Sequence, residues 1–251
     1  MNALKQLLFN MADDLLIIGH RNSEWTGIGP VLEEDIAFAS MAQDKIGQAQ
    51  AFYQLIHDQF KTEKPDLLGF NRKENEFYSS HFVEYPIGEY DFSLVRHFLF
   101  DQAQFLRVND LKNSSSENLR SISLKFLPEL KYHIMHADIW MAQLANNGNA
   151  ESHSRLQSSL NELYSIAFGM FENFDEENEL IENKVYSGEN VLRDNWIKTI
   201  DEKCKTFNLK IPKTNSIDKY LGGRKAFHTI HLAPLLKEMT EVFNIEPTAE
   251  W

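Results

Sequence analysis

The sequence predicts an all-α protein on three observations. Apolar residues recur at steps of three and four over long stretches, Val, Ile and Thr nowhere form a run of strict two-residue alternation, and two pairs of long periodic segments are separated by an extended connection. The 251 residues show no clean internal boundary, so a single domain over 1–251 is expected.

Leu4, Leu8, Met11, Leu15 and Ile18 give the first helix one apolar stripe, and it is expected to end near Asn22. The following segment, Glu24 to Pro30, holds two glycines and a proline, which suits a tight connection with the second helix starting after Pro30 and running to about Phe60. From Lys61 to Glu89, Pro65, Gly69, Pro86 and Gly88 punctuate a polar, aromatic-bearing connection too long for a simple turn. A third helix is expected from Asp91 to Leu111, and the cluster Asn113 to Ser116 offers a turn and an N-cap for a fourth from Glu117 to Asn146. Leu156, Leu160, Leu163, Ala167, Met170 and Phe174 share one side of a further helix, Glu151 to Glu179. Shorter helices fit Val191 to Phe207 and, after a loop with Pro212, Gly222 and Gly223, His228 to Phe243. Two long hairpins joined by a crossover give the ferritin-like arrangement, a four-helix bundle with additional C-terminal helices.

A net charge of −12 opposes binding to phosphate backbones and anionic lipid surfaces, so neither nucleic acid nor membrane is expected as a partner. The single cysteine, Cys204, has no partner for an internal disulfide and reads as a thiol on a helix face in a reducing compartment. The first residues lack the apolar core and cleavage site of a secretory signal, and no stretch approaches the ~18 apolar residues of a membrane span. A cytoplasmic location is expected.

The informative residues are acids and a histidine on apolar faces. Asp101 lies among Leu94, Phe98, Phe105 and Val108 at helical spacings, and His133 shares a face with Phe126, Leu130, Ala137 and Trp140, with Glu129 and His136 about one turn to either side. In the second helix Asp44 falls on a stripe with Ala37, Met41, Gly47 and Ala51, and in the first Asp13 and Asp14 interrupt Met11 to Ile18. Four successive helices thus each bring an acid or a histidine inward. A non-haem di-iron centre in such a bundle needs a carboxylate from two helices and an acid-x-x-His pair from each of the other two. This chain supplies part of that set: Leu130 stands three residues before His133 where an acid is required, Gly47 stands three after Asp44 where a histidine is required, and Glu129 is turned by ~100° from the needed direction. Three readings follow. The polar groups form a buried ion-pair and hydrogen-bond network, or they keep a single-metal remnant, or Asp44, Asp101, Glu129 and His133 make an atypical di-iron oxidase site.

Beyond these positions, the sequence carries Glu24-Trp25-x-Gly27 followed by Pro30, Glu33-x-Asp35, Asp44-x-x-Gly47-Gln48-Ala49, Phe77, Asp101 and Glu129-x-x-Tyr132-His133. Toward the end come Gly222-Gly223-x-Lys225-x-x-His228-Thr229-x-His231-Leu232 and the final Trp251. Taken together over nearly the whole chain, these motifs resemble the C-subunit family of bacterial phenylacetyl-CoA epoxidase, the phenylacetate catabolic proteins. The resemblance implies a ferritin-like, non-catalytic subunit with a degenerate metal site and no cofactor of its own. It also implies association, as a heterodimer or higher hetero-oligomer, with a homologous catalytic A subunit that carries the iron and epoxidises the aromatic ring in aerobic phenylacetate degradation. Gln104, three residues after Asp101, departs from the histidine of other members.

Gly222-Gly223-Arg224-Lys225 is a basic loop in an acidic chain. Two readings stand for it, contact of Arg224 and Lys225 with acyl-CoA phosphates or a partner, and a plain helix-start loop. His228-x-x-His231 lacks the acids or cysteines of a metal site, Gly27-Ile28-Gly29 follows a helix and cannot be a dinucleotide fingerprint, and Ser114 to Ser116 are accounted for by a turn.

Overall fold

A computed structural model describes residues 2–214 and 217–246; Trp251, part of the family-like pattern, lies outside them. All regular structure among the described residues is helical, α or 3₁₀, so the fold is all-α as expected. Among the described residues no helix is long and apolar enough to cross a membrane. The chain divides into two compact units, Met1–Pro86 with Gly222–Trp251, and Ile87–Leu221. Both seams fall at punctuation the sequence already carries, Pro86 to Gly88 and Gly222-Gly223.

The first unit is built on the hairpin of α1 (Ala3–Ser23) and α2 (Leu32–Phe60). Asn2 caps α1 by accepting from the amides of Leu4 and Lys5 at 3.0 and 3.3 Å. The helices run antiparallel: the Lys5 ammonium lies over the Phe60 ring, Phe9 meets Tyr53, and Trp25 meets Phe38. At Gly19 a Cβ would come within 2.8 Å of Ile46 and 3.4 Å of the Ala42 carbonyl, so the missing side chain sets how closely the helices approach. Asp35 closes their connection by accepting from the amides of Gly27 and Gly29 at 2.7 and 3.4 Å, with Gly27 at φ +86°.

The expected connection over 61–89 is partly helical. It holds α3 (Pro65–Phe70), a 3₁₀ turn at Glu74–Glu76 and α4 (His81–Glu84). The last helix of the unit, which precedes a 3₁₀ turn at Phe243–Ile245, is shorter than expected: α10 spans Leu232–Met239 and buries Leu232, Leu235 and Leu236. It starts four residues late because His228 and Thr229 are held in non-helical backbone by Glu84.

In the second unit α5 (Tyr90–Leu111) pairs antiparallel with α6 (Glu117–Asn146), with Tyr90 against Trp140 and His97 against His136. Ser116 makes no capping bond from its side chain; the serines instead tie the turn to itself, Ser114 Oγ accepting from Ser116 N, and to Asn183 O through Ser115. The helix expected over 151–179 is broken into α7 (Ala150–Ala167), a 3₁₀ turn at Phe168–Phe171 and α8 (Glu177–Glu182). A Cβ at Gly169 would sit 2.7 Å from the Tyr220 carbonyl, and Phe168 and Phe171 leave the helix to surround Trp196. That tryptophan, on α9 (Glu189–Thr206), is fully buried, stacks on Tyr164 and donates from Nε1 to Leu99 O at 3.0 Å. Cys204 is buried on α9 as well, and burial, with the charge of Asp201, pushes its thiol up to about 12.

Candidate functional site

The adjacent carboxylates of α1 are both buried, and each is held by a different arginine of the first unit. Asp13 accepts from the Tyr53 hydroxyl at 2.5 Å, from Arg72 Nη1 and Nη2 at 3.1 and 2.5 Å, and from the Tyr78 amide at 2.7 Å. The Arg72 guanidinium also lies over the Phe9, Tyr53 and Phe77 rings. Burial, then the Asp13 charge, push the Tyr53 hydroxyl well above its ordinary range, so it remains a donor. For Arg72 burial works against the charge, but Asp13 more than offsets it and raises the pKa.

Asp14 accepts from Arg224 Nη1 and Nη2 at 3.0 and 2.6 Å and from the Ser80 amide at 2.6 Å. Arg224 is itself buried and spends further N–H groups on Asn10 O and Tyr78 O at 3.2 and 2.7 Å. Of the two readings of this loop, contact of Arg224 with a CoA phosphate or a partner is the one the geometry disfavours: its guanidinium is an internal counter-ion, enclosed by carboxylate and carbonyl oxygens. Lys225 stays exposed. The glycine pair is closely packed, because a Cβ at Gly223 would lie 2.1 Å from Ser79 O. The segment over 222–231 is pinned again by His228, whose Nδ1 meets Glu84 Oε1 at 2.7 Å and whose Nε2 meets Phe77 O at 3.0 Å. Both partners are acceptors, which the doubly protonated ring satisfies. Burial lowers the pKa of His228, but the hydrogen bond and charge of Glu84 prevail and leave it raised. Glu84 also accepts from Ser79 Oγ and the Thr229 amide. His231 lies outside this pairing, its ring against Tyr85.

On α2 the buried stripe is Glu34, Phe38, Met41, Lys45, Gln48 and Phe52. The expected stripe through Asp44 and Gly47 is therefore displaced by one residue, ~100° of helix rotation. Asp44 is half-buried, and Gly47 is exposed with open space where its Cβ would stand. The inward polar pair at a spacing of three is Lys45 and Gln48, and Lys45 is 0% exposed. A di-iron helix needs an acid and a histidine at such an inward spacing, and this pair supplies an ammonium and an amide.

In the second unit Asp101 meets His97 Nδ1 one turn earlier on α5 and lies 3.6 Å from His133 Nδ1 of α6. His136 Nδ1 is 3.3 Å from His97 Nε2, so three imidazoles line up beside one carboxylate in the buried face of the hairpin. Leu130 is fully buried on the same helix, and Glu129 is half-buried. Of these partners the sequence reading missed His97, although its spacing of four from Asp101 places both on one helix face. It also missed Arg72, Lys45, Gln48 and Glu84, which carry no local signature.

These residues do not fit a carboxylate-bridged pair of irons. Asp13 and Asp14 direct their oxygens at guanidinium groups, α2 turns a cation inward, and Leu130 offers no donor. Among the described residues no group of three or more His, Cys, Asp or Glu is arranged to hold a metal ion.

The family model described as phenylacetic acid catabolic protein matches residues 1–251. The chain is 28% identical over 251 residues to the C subunit of the 1,2-phenylacetyl-CoA epoxidase of Escherichia coli (strain K12), an alignment that covers 100% of both sequences. The chain belongs to the phenylacetic acid catabolic protein family.

Proposed function

From this membership we propose that the chain is a non-catalytic, structural subunit of a multicomponent phenylacetyl-CoA 1,2-epoxidase, supporting a homologous di-iron catalytic subunit in aerobic phenylacetate degradation. The observation that carries the reading is the inward pair Lys45 and Gln48 on α2, a cation and an amide, whereas a di-iron helix needs a carboxylate and an imidazole at such an inward spacing. The ion pairs Asp13–Arg72 and Asp14–Arg224 support it, since acids committed to arginines stabilise the subunit and are poor metal donors. The full-length similarity to an epoxidase subunit supports a hetero-oligomer. The rival reading, an oxidase using Asp44, Asp101, Glu129 and His133, is weakened by the turn of Asp44 off the inward stripe.

Reconstitution tests the proposal. Mixed with its homologous catalytic subunit, a reductase and phenylacetyl-CoA, the chain is expected to form a stable complex and to be required for epoxide formation, while consuming no oxygen with the same substrate by itself. Turnover by the isolated chain would overturn the proposal, and so would full turnover by the catalytic subunit without it.

A further inference from the structure

α6 is apolar on two opposite sides. One side buries Phe126, Leu130, His133, Ala137 and Met141, while Leu124, Met135 and Ile139 are 57%, 51% and 57% exposed and Tyr132 is 43% exposed. At 100° per residue these four lie within about 80° of one another, and their centre is about 180° from that of the buried stripe. Single exposed apolar side chains are ordinary. A strip of them along roughly 22 Å of one helix is the mark of a surface that is covered.

The charges beside the strip decide what covers it. Lys125 and Lys131 are exposed along it, and among the described residues neither has a carboxylate partner. Asp138, at the edge, is already taken by Lys203 at 2.5 Å, and Glu129 points about 100° away from the centre. In a chain of net charge −12, this face is apolar with a basic border. A second copy complements it poorly: in an antiparallel pair with a two-fold axis through the midpoint, between Lys131 and Tyr132, Lys131 meets Lys131, and in a parallel pair the basic borders gain no carboxylate from the strip between Leu124 and Ile139. The overall negative charge likewise opposes an anionic bilayer.

We propose that the outer strip of α6 docks an amphipathic helix of a different polypeptide, one that presents apolar side chains at matching steps and carboxylates opposite Lys125 and Lys131. This rests on the reading of the chain as part of a hetero-oligomer and names the face and the chemistry that hold it there.

The test measures binding of the full-length chain to its homologous catalytic subunit by calorimetry, for wild type and for Met135→Lys, Ile139→Lys and Lys131→Glu. Val191→Lys, at an exposed apolar position of α9, is the control. Each lysine substitution in the strip is expected to weaken binding by at least about 30-fold, the scale of an interface hot spot, and Lys131→Glu by about 10-fold with a shallower salt dependence. Val191→Lys leaves affinity unchanged, and all four variants keep the wild-type melting temperature. A wild-type complex that Ile139→Lys leaves intact overturns the docking face alone, whereas a wild type that binds no catalytic subunit overturns the functional reading and this face with it. The face is equally overturned if sedimentation finds the isolated chain to be a dimer that Ile139→Lys dissociates, or if flotation finds it on phosphatidylglycerol vesicles.

Discussion

Replacing Asp14 with alanine leaves the Arg224 guanidinium buried in the first unit without its counter-charge. Three bonds to the carboxylate vanish, from Arg224 Nη1 at 3.0 Å, Arg224 Nη2 at 2.6 Å and Ser80 N at 2.6 Å, and the cation keeps the carbonyls of Asn10 and Tyr78. Breaking one side of a buried pair destabilises by about 3–5 kcal/mol, because the remaining charge is uncompensated. For a chain of this size that corresponds to a melting temperature lower by roughly 6 to 20 °C. Arg224→Met should fall in the same range, since it strands the carboxylate. The double variant Asp14→Ala/Arg224→Met removes both charges, and it should recover about 1–3 kcal/mol relative to the sum of the single effects. Urea denaturation followed by far-UV circular dichroism reads all three. Single variants within about 0.5 kcal/mol of wild type would refute the placement of a buried ion pair, and strict additivity in the double variant would refute the coupling.

Two further outcomes follow from the same geometry. His228 has a raised pKa in the folded chain, so its bonds to Glu84 and Phe77 contribute fully below the unfolded value of about 6.5 and are lost as pH rises through the higher folded value; wild type should lose stability as pH rises above about 6.5 and His228→Gln should lose less, which denaturation between pH 5.5 and 9 measures. Asp101→Ala removes the carboxylate shared by His97 and His133 and should lower stability by about 1–3 kcal/mol, so an unchanged melting temperature would count against the buried cluster.

Much of the fold is legible because helical periodicity is a local property. The stripe of Leu4, Leu8, Met11, Leu15 and Ile18 fixes α1, and the glycines and prolines at 27–30 and 86–88 mark true connections. What failed was set by distant partners. Nothing near Phe168 reveals that Gly169 meets Tyr220, so the helix expected to Glu179 stops at Ala167. The site shows the same division. Asp101 and His133 are visible as polar residues on apolar faces, and the structure brings them together. Asp13 and Asp14 could be placed inward, but their arginines come from positions 72 and 224, far along the chain. On α2 the error has a different origin: lysine and glutamine ordinarily face water, so the stripe through Lys45 and Gln48 looks interrupted and the one through Asp44 and Gly47 looks intact. A buried cation disguises the face it lies on.

Metal content tests the central claim most directly. The full-length chain, produced without its catalytic homologue in iron-rich medium and analysed by plasma mass spectrometry, is predicted to carry far less than one iron per chain, because the buried Lys45, Gln48 and Leu130 offer neither carboxylate nor imidazole and Asp13 and Asp14 are bound to arginines. Close to two irons per chain, with the absorption of an oxo-bridged pair, would contradict it.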